Sequence, residues 1–523
     1  MNNQIHKRLI RGQANEKGWR PVVEIEGEIL APAVGRSIAH LIHISDIHIC
    51  DAQSPARVEA LDRFADPHNP LSKLIPLVGT YRAQEILTTQ TFEALIRKIN
   101  AISHGVMCDR LVDAVVITGD VTDNAQQNEL KWYLDILHGK LVIPDSGDLT
   151  KWEGASTTNA HRYDPSYWNP EGTPPGCEDD FPRARYGFPV IKGLTEAIRA
   201  PFIAQGLQHP WFSTHGNHDA LLQGTVPPNE ELRSFATGDQ RLRGLKPETD
   251  LVTLFSTFNE VGPANYPNPE TVITEKVTPD LQRGFNSRTQ WNEIHTTCGH
   301  DHGYRDGQTE KYWARDIENL RMISLDTVNH NGGWQGSLSR EQFEWLKREL
   351  KNPDPHYFVI LSHHPAGDLF NLYDPNNEGR VGEKEVVELL LAEPRVILWL
   401  AGHRHQHKID LYTANDSAGF WHIETASNID WPQQGRAIEI LETESEVLIV
   451  THVFDHLGER DPDLNVTVYV FAVNVAVTEW FADRELKVTP DVIAFVKSVP
   501  VSATESTVIL ATPYPVLGVN VTV

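Results

Sequence analysis

Short apolar runs that each lead into metal-binding types of side chain constrain the fold of this chain more than any other feature. Five such runs stand at residues 38–45, 112–118, 322–325, 357–361 and 396–400. Their length and composition predict buried strands. Apolar residues recur at helical spacing over 81–102, between the first two runs, and Ser339 is placed to cap a helix between the third and fourth. Strand, helix, strand is the unit that builds a parallel sheet, so we predict an α/β fold with polar side chains gathered at the carboxyl ends of its strands.

The length of 523 residues predicts either two domains or one large domain with insertions. Residues near 140–210 and 223–318 are irregular and rich in Pro, Gly and polar side chains, which is typical of segments inserted around a site. After about residue 445 the pattern becomes β-like. We therefore expect one domain over 36–445 with both insertions, followed by a β-rich C-terminal extension over 446–523.

Charge narrows the classes of partner. Acidic residues outnumber basic ones by 71 to 46, for a net charge of −25, which disfavours nucleic acid as a partner because backbone binding depends on Lys and Arg clusters. A small phosphoester substrate stays compatible, since bound divalent ions would dominate the local field. No apolar run approaches the roughly 18 residues of a membrane span, and the N-terminus lacks the apolar stretch of a secretory signal, so we expect a cytoplasmic protein. The oligomeric state stays open, with a homo-oligomer among the alternatives.

Seven side chains, most of them just after apolar runs, predict a metal centre. They are Asp46, His48, Asp120, Asn217, His363, His403 and His405. Asp46 and His48 follow one strand and can reach one ion. The two carboxylate oxygens of Asp120 could each hold a different ion, a bridge that keeps two divalent ions about 3.5–4 Å apart. Nitrogen and oxygen ligands without thiolate suit transition metals such as Mn, Fe or Zn better than Mg or Ca, so we expect two divalent transition-metal ions.

The same residues belong to five motifs that stand in a fixed order. In chain order these are Asp46-Ile47-His48, Gly119-Asp120, Gly216-Asn217-His218-Asp219, His363-His364-Pro365 and Gly402-His403-Arg404-His405. The set resembles the signature of the calcineurin-like metallophosphoesterase superfamily. That resemblance implies a four-layer α/β/β/α sandwich of two mixed sheets over the catalytic core. Purple acid phosphatases have a tyrosine ligand three residues after the bridging aspartate, where this chain has Asp123, so the sequence is closer to the bacterial phosphodiesterase-like branch.

The resemblance also divides the ligands into two sets that share Asp120. It assigns one ion to Asp46, His48, Asp120 and His405, and the other to Asp120, Asn217, His363 and His403. His363 is preferred to His364 because it lies two residues before Pro365, as the ligand of the family does.

The predicted activity is phosphoester hydrolysis, with a phosphodiesterase favoured. A water shared by the two ions would lose its proton near neutral pH, because metal binding lowers its pKa from about 15.7 to about 7, and the hydroxide would attack phosphorus. His218 would protonate the leaving oxygen, with Asp219 orienting it. The alternatives are a phosphomonoesterase and a catalytically silent metal-binding scaffold, and the presence of His218 speaks against the scaffold.

Several other side chains have two interpretations. His300 and His302 resemble a ligand pair, although a structural role or a place in the substrate wall is favoured. Arg57 and Arg404 could bind a phosphate group or form salt bridges. Trp431 could stack on a base or simply pack.

Overall fold

The computed structural model describes most of the chain between Arg36 and Asp455, together with three short outlying strands. The described residues are 7–11, 22–26, 36–57, 63–64, 81–105, 108–186, 188–251, 270–287, 289–297, 302–415, 418–430, 433–442, 447–455 and 506–511.

Strands and helices alternate through the centre of the chain. The strands are β1 (Lys7–Arg11), β2 (Val22–Glu26), β3 (Arg36–Ile44), β4 (Ala114–Ile117), β5 (Leu141–Val142), β6 (Phe202–Ile203), β7 (Trp211–Ser213), β8 (Gln240–Leu245), β9 (Val272–Lys276), β10 (Trp313–Ile317), β11 (Leu320–Leu325), β12 (Leu338–Ser339), β13 (Tyr357–Ser362), β14 (Arg380–Val381), β15 (Val396–Ala401), β16 (Lys408–Asn415), β17 (Ala418–Glu424), β18 (Gln434–Glu442), β19 (Val447–Asp455) and β20 (Ser506–Ala511). The α-helices are α1 (Thr88–Asn100), α2 (Gln127–Leu137), α3 (Phe181–Tyr186), α4 (Leu194–Ala197), α5 (Glu230–Thr237), α6 (Gln290–Thr297), α7 (Arg340–Glu349) and α8 (Glu383–Leu391). Short 3₁₀ turns lie at Glu85–Leu87, Leu281–Arg283 and Ala366–Asp368.

Two mixed sheets, each with six strands among the described residues, organise the molecule. The first has the order β20-β19-β18-β3-β4-β7 and the second the order β10-β11-β13-β15-β17-β16. In the first sheet β3, β4 and β7 are parallel, and in the second β11, β13, β15 and β17 are parallel. The prediction of a mixed α/β fold built on parallel strands is therefore confirmed.

The two sheets share one apolar core. Side chains alternate between the faces of a strand, and on β13 Val359 and Leu361 join the core that contains Ile42 of β3. On the other face of β13, Phe358 and Ile360 pack in a second core with apolar residues of α7 and α8. Helices α1 and α2 contribute to the shared core. The carboxyl ends of the parallel strands are thereby fixed by packing on both faces.

The predicted helices are present with adjusted starts. Within 81–102 a 3₁₀ turn comes first and α1 begins at Thr88. The Ser339 hydroxyl accepts a hydrogen bond from the backbone N–H of Gln342 at 3.1 Å, so the predicted cap of α7 is confirmed. None of the helices described is both long and apolar enough to span a bilayer.

The C-terminal region differs from the predicted division at residue 446. Strand β19 pairs antiparallel with β18 along its whole length, from Gln434 opposite Asp455 to Glu442 opposite Val447. Because β18 also pairs with β3, the first strand of the predicted extension is part of the sheet that holds the first motif. Strand β20 covers the predicted run at 508–510 and pairs with β19. The predicted run at 466–470 lies outside the described residues.

The predicted insertions contain short elements and small cores of their own. In the first, Trp168 is buried with Phe188 and Leu194, and its indole N–H donates to the carbonyl of Pro189 at 3.0 Å. Its neighbour Tyr167 packs edge-on against Tyr81. These aromatic residues therefore have packing roles.

Candidate metal centre

The predicted ligands follow the ends of parallel strands that lie side by side. Asp46 and His48 follow β3, Asp120 follows β4 and Asn217 comes shortly after β7. His363 follows β13, while the Gly402-His403-Arg404-His405 segment follows β15. The carboxyl ends of parallel strands share one edge of a sheet, and two sheets packed on a common core bring their edges together. Residues remote in the sequence consequently meet in one place.

Distances between ligand atoms are short throughout this group. The Oδ2 atom of Asp120 lies 3.0 Å from Nε2 of His363 and 3.8 Å from Nε2 of His48. His405 Nε2 lies 3.3 Å from an oxygen of Asp46, and His363 Nε2 lies 3.1 Å from Nδ1 of His403. Asp120 therefore stands between His48 and His363, the histidines that the resemblance assigns to different ions.

Five of the seven side chains sit on backbone in the left-handed region. The φ angles are 53° for Asp46, 50° for His48, 50° for Asp120, 71° for His403 and 51° for His405. Such conformations cost non-glycine residues about 1–3 kcal/mol each and collect at functional sites. The turns are held by hydrogen bonds between loops, from Asp46 N–H to the Gly119 carbonyl at 3.1 Å and from His48 N–H to the Asp120 carbonyl at 2.9 Å. The strained turns aim the side chains inward.

Two motif glycines are required where these loops touch. Gly119 has φ +88°, and a Cβ added there would lie 2.9 Å from the Gly216 Cα and from His363 Nδ1. A Cβ added at Gly216 would overlap the carboxylate of Asp120. Both contacts would force the ligand loops apart.

Three of the predicted ligands have a partner that orients the imidazole ring. His48 Nδ1 lies 3.0 Å from a carboxylate oxygen of Asp123, and His363 Nδ1 lies 2.8 Å from the Thr118 carbonyl. His405 Nδ1 contacts the carboxylate of Asp430. Each Nε2 then faces the centre, the arrangement that metal-binding histidines adopt.

None of these three hydrogen-bond partners is predicted by the sequence analysis. Asp430 lies beyond the carboxyl end of β17, so it follows the same strand-end pattern as the ligands, but no neighbouring motif marks it. Asp123 also accepts from Arg57, which is buried and bonded to Glu85 at 2.8 Å. Arg57 therefore has the salt-bridge role.

The donor atoms fit divalent cations. His48 Nε2 and Asn217 Oδ1 are buried and have no hydrogen-bond partner among the residues described. The amide of Asn217 is turned this way because its Nδ2 donates to the Gly224 carbonyl at 2.9 Å. Leaving a buried acceptor unsatisfied costs about 1–3 kcal/mol, and both atoms are of the type that divalent transition metals bind. This set of residues therefore suits a metal centre.

The electrostatics of the metal-free centre point the same way. Burial opposes charge on His363, but the neighbouring carboxylate of Asp120 raises its pKa to about 9. Burial likewise opposes charge on His405, and Asp46 raises its pKa to about 9. The pKa of Asp120 is held well below its usual value, against the effect of burial, chiefly by His363 and His218. Protonated imidazoles thus balance the carboxylates when cations are absent.

His218 lies beside the ligand group. Its backbone N–H donates to Asp120 Oδ1 at 2.8 Å, and its ring is 4.5 Å from that of His48 between centroids. The Nδ1 atom lies 2.6 Å from the backbone carbonyl of Asp123, so Nδ1–H donates a hydrogen bond to that carbonyl. Nε2 is therefore the ring nitrogen available for proton transfer. Burial lowers the pKa of His218 to about 4.

Asp219 is expected from the sequence to orient His218, but its carboxylate accepts hydrogen bonds from backbone N–H groups of two neighbouring loops. Its Oδ1 accepts from the backbone N–H groups of Val121 at 3.0 Å and Thr122 at 2.9 Å, and its Oδ2 accepts from Gly216 at 2.8 Å. The carbonyl of Asp123 therefore orients His218, while Asp219 ties two loops of the centre together.

Several residues for which the sequence left both a functional and a structural role open have defined partners in the structure. His364 uses both ring nitrogens, with the Thr327 hydroxyl at 2.8 Å and the Trp334 carbonyl at 2.9 Å. Arg404 pairs with Asp368. His302 is buried and stacks on Trp211 with ring centroids 3.4 Å apart. His300 and Trp431 lie outside the described residues.

Parts of this chain are similar to a known family and to known proteins. The family model of the calcineurin-like phosphoesterases matches residues 190–407, a range that includes Asn217, His218, His363, His403 and His405. This match places residues 190–407 in the calcineurin-like phosphoesterase superfamily.

Similar curated proteins match one part of the chain. A 3',5'-cyclic adenosine monophosphate phosphodiesterase, CpdA of Escherichia coli, is 35% identical over 95 residues, which is 18% of this chain and 33% of that protein. A probable cyclic nucleotide phosphodiesterase of Rhodococcus erythropolis is 32% identical over 94 residues, 17% of this chain and 29% of its own. The chain thus spans about a third of the length of these relatives.

Two solved structures are also similar. A dimetal phosphatase from Danio rerio is 11% identical with a TM-score of 0.34, covering 79% of this chain and 95% of its own. Purple acid phosphatase PPD1 from yellow lupin is 10% identical with a TM-score of 0.35, covering 88% of this chain and 60% of its own.

Proposed function

We propose that this protein is a phosphodiesterase that works with two divalent transition-metal ions. The convergence of seven buried or half-buried ligand side chains, two of which present unpartnered donor atoms, carries the proposal. The fold that goes with it is the four-layer α/β/β/α sandwich. The domain that we propose comprises residues 36–445 together with β19, because β19 pairs with β18 in the first sheet.

The ligand sets proposed for the two ions share Asp120. One set is Asp46, His48, Asp120 and His405, and the other is Asp120, Asn217, His363 and His403. In support, ligand atoms of Asp46, His48 and His405 all lie within 4.8 Å of one another, as do those of Asp46, Asp120 and His363. Mn, Fe and Zn are the favoured ions. When bound, they supply an acidified water nucleophile and neutralise charge on the phosphoryl group.

The protein's own residues position and move a proton. With Nδ1–H fixed on the Asp123 carbonyl, His218 can take up a proton only at Nε2. Burial disfavours that charge, and the negative charge of an adjacent phosphoester favours it, so we propose that substrate binding charges His218. His218 then gives the proton to the leaving oxygen, a role worth about 10²–10⁴-fold in rate. Asp219 keeps the loops of Asp120 and Gly216 in register.

Preference for diesters rests on two observations. The partial relatives are named as cyclic nucleotide phosphodiesterases, and Asp123 stands where purple acid phosphatases have a tyrosine. A phosphomonoesterase is the second candidate, because the same ligand set serves both reactions.

The test combines a substrate panel with one variant. Mn-loaded protein is assayed on bis-p-nitrophenyl phosphate, p-nitrophenyl phosphate and cyclic AMP. His218→Asn is compared with His356→Asn, which changes an exposed histidine at the amino end of β13, opposite to the end that His363 follows. We expect faster diester hydrolysis and a loss of kcat of about 10²–10⁴-fold in His218→Asn alone, with unchanged metal content. A monoester preference would replace the diester assignment. Full metal occupancy without turnover of any substrate would favour the silent scaffold.

A further inference from the structure

A second group of metal-binding side chains lies outside the seven ligands. It consists of His215, Asp326 and His330. His215 follows β7 of the first sheet, and Asp326 directly follows β11 of the second. This is the same strand-end placement that positions the proposed ligands of the two ions.

The spacing of the donor atoms matches a coordination shell better than a hydrogen-bonded triad. His215 Nδ1 lies 3.5 Å from Oδ1 of Asp326, and His330 Nε2 lies 3.5 Å from Oδ2. Good N–H···O hydrogen bonds measure about 2.7–3.2 Å, so both contacts are long for that purpose. Ligands bound at about 2.0–2.2 Å in a tetrahedral shell stand about 3.3–3.6 Å from one another. One ligand atom from each residue lies within 4.8 Å of the others.

The surroundings hold the three side chains while leaving one side open. His215 is buried with its ring edge-on to Trp291, at 4.9 Å between centroids. The Oδ1 atom of Asp326 accepts from the Val328 N–H at 3.2 Å. The side chain of His330 is 23% exposed. Catalytic and exchangeable zinc sites have this form, with three protein ligands and one open position.

We infer that His215, Asp326 and His330 bind a third divalent cation. Two imidazoles and one carboxylate, without thiolate, favour zinc or a similar transition metal. None of the three side chains is needed for the two-ion centre, so the inference goes beyond the proposed function.

The test is the zinc content of the full chain. Protein stripped with EDTA is dialysed against buffered free zinc, and the ions per chain are counted by mass spectrometry. We expect His330→Ala and Asp326→Ala each to lose one ion relative to wild type. His356→Ala, a matched loss of an exposed histidine, should lose none. Thermal melting in EDTA checks that each variant folds, and His330→Asn replaces His330→Ala if the alanine variant does not.

This experiment distinguishes failure of the third cation site from failure of the two-ion centre. The zinc content of His363→Ala, which removes a proposed ligand of the two-ion centre, is measured alongside. An unchanged zinc count in both His330→Ala and Asp326→Ala would overturn the third site, whatever the count in His363→Ala. A loss of one ion in the cluster variants with no loss in His363→Ala would support the third site and count against the two-ion centre.

Discussion

At the scale of single residues, the centre depends on which nitrogen each imidazole presents. In three of the imidazoles Nδ1 already has a partner: Asp123 for His48, Asp430 for His405 and the Thr118 carbonyl for His363. Nε2 is therefore the atom of each ring that can bind a cation. The proposed ligands could be picked out from motif spacing because the residue types themselves carry the chemistry, and the structure brings them together. The hydrogen-bond partners of the imidazoles could not be predicted. Every residue has a backbone carbonyl, and an aspartate outside a motif cannot be distinguished in the sequence from a surface aspartate.

Metal binding should depend on pH in a direction set by two histidines. His363 and His405 have pKa values of about 9 in the metal-free protein, so both are largely protonated at pH 7 and must lose a proton to bind a cation. We expect zinc affinity to rise between pH 7 and pH 9. Calorimetry at pH 7 in buffers of different ionisation enthalpy should show proton release. Affinity that is independent of pH would contradict the assignment.

The stability of the metal-free protein should change in the opposite direction. Because the pKa of both histidines is raised from about 6.5 in the unfolded chain, their contribution is fully present below about pH 6.5 and is lost as pH rises through about 9. Melting temperatures measured in EDTA should therefore fall across this window, while those of zinc-loaded protein should not fall in parallel. Parallel curves would count against the raised pKa values.

Asp430→Asn should weaken metal binding without removing a ligand. The carboxylate orients His405, and loss of such a partner typically costs about 10–100-fold in affinity. Asp316→Asn is the matched control, since Asp316 also pairs with an arginine but lies on β10. Equal zinc affinities in the two variants would show that Asp430 serves only Arg82.

At the scale of elements, the proposed ligands follow the ends of strands, and strained turns set the direction of their side chains. The strands could be predicted because apolar runs of this length have few other uses. The turns could not, since Asp46, His48 and Asp120 carry positive φ without the glycine that usually marks it. Only the contacts between loops make those conformations stable.

Gly119→Ala should disrupt the centre far more than a matched glycine change. Both Gly119 and Gly176 have positive φ, but a Cβ at Gly176 meets nothing within 4 Å, whereas one at Gly119 meets Gly216 and His363. We expect Gly176→Ala to cost about 1 kcal/mol of unfolding free energy from φ strain alone. Gly119→Ala should cost about 2–5 kcal/mol, since overpacking adds to the strain, and should lower zinc affinity. Denaturant unfolding measures both, and similar losses would mean that the loops do not touch.

At the scale of the whole molecule, the C-terminal strand β19 completes the sheet that holds Asp46. Its β character could be predicted from its residues. Its partner could not, because periodicity reports that a strand is buried and not which sheet buries it. The predicted boundary near residue 446 rests on the change to a β-like pattern, whereas the pairing of β18 with both β3 and β19 crosses it.

Ile449→Ala tests this continuity. Ile449 is fully buried in the core that both sheets share, so we expect a loss of about 2–5 kcal/mol in the unfolding transition that zinc stabilises. Leu411→Ala, at a residue 45% exposed on β16, should change it by less than about 0.5 kcal/mol. If Ile449→Ala left the zinc-dependent transition unmoved, β19 would belong to a separate folding unit.

Anomalous diffraction from crystals soaked in manganese tests the two-ion centre most directly. At the seven proposed ligands, apart from any peak at His215, Asp326 and His330, we predict two peaks about 3.5–4 Å apart, with the carboxylate of Asp120 in contact with both. A single peak, or a pair in which Asp120 reaches only one ion, would contradict the proposed centre and the hydrolysis that depends on it.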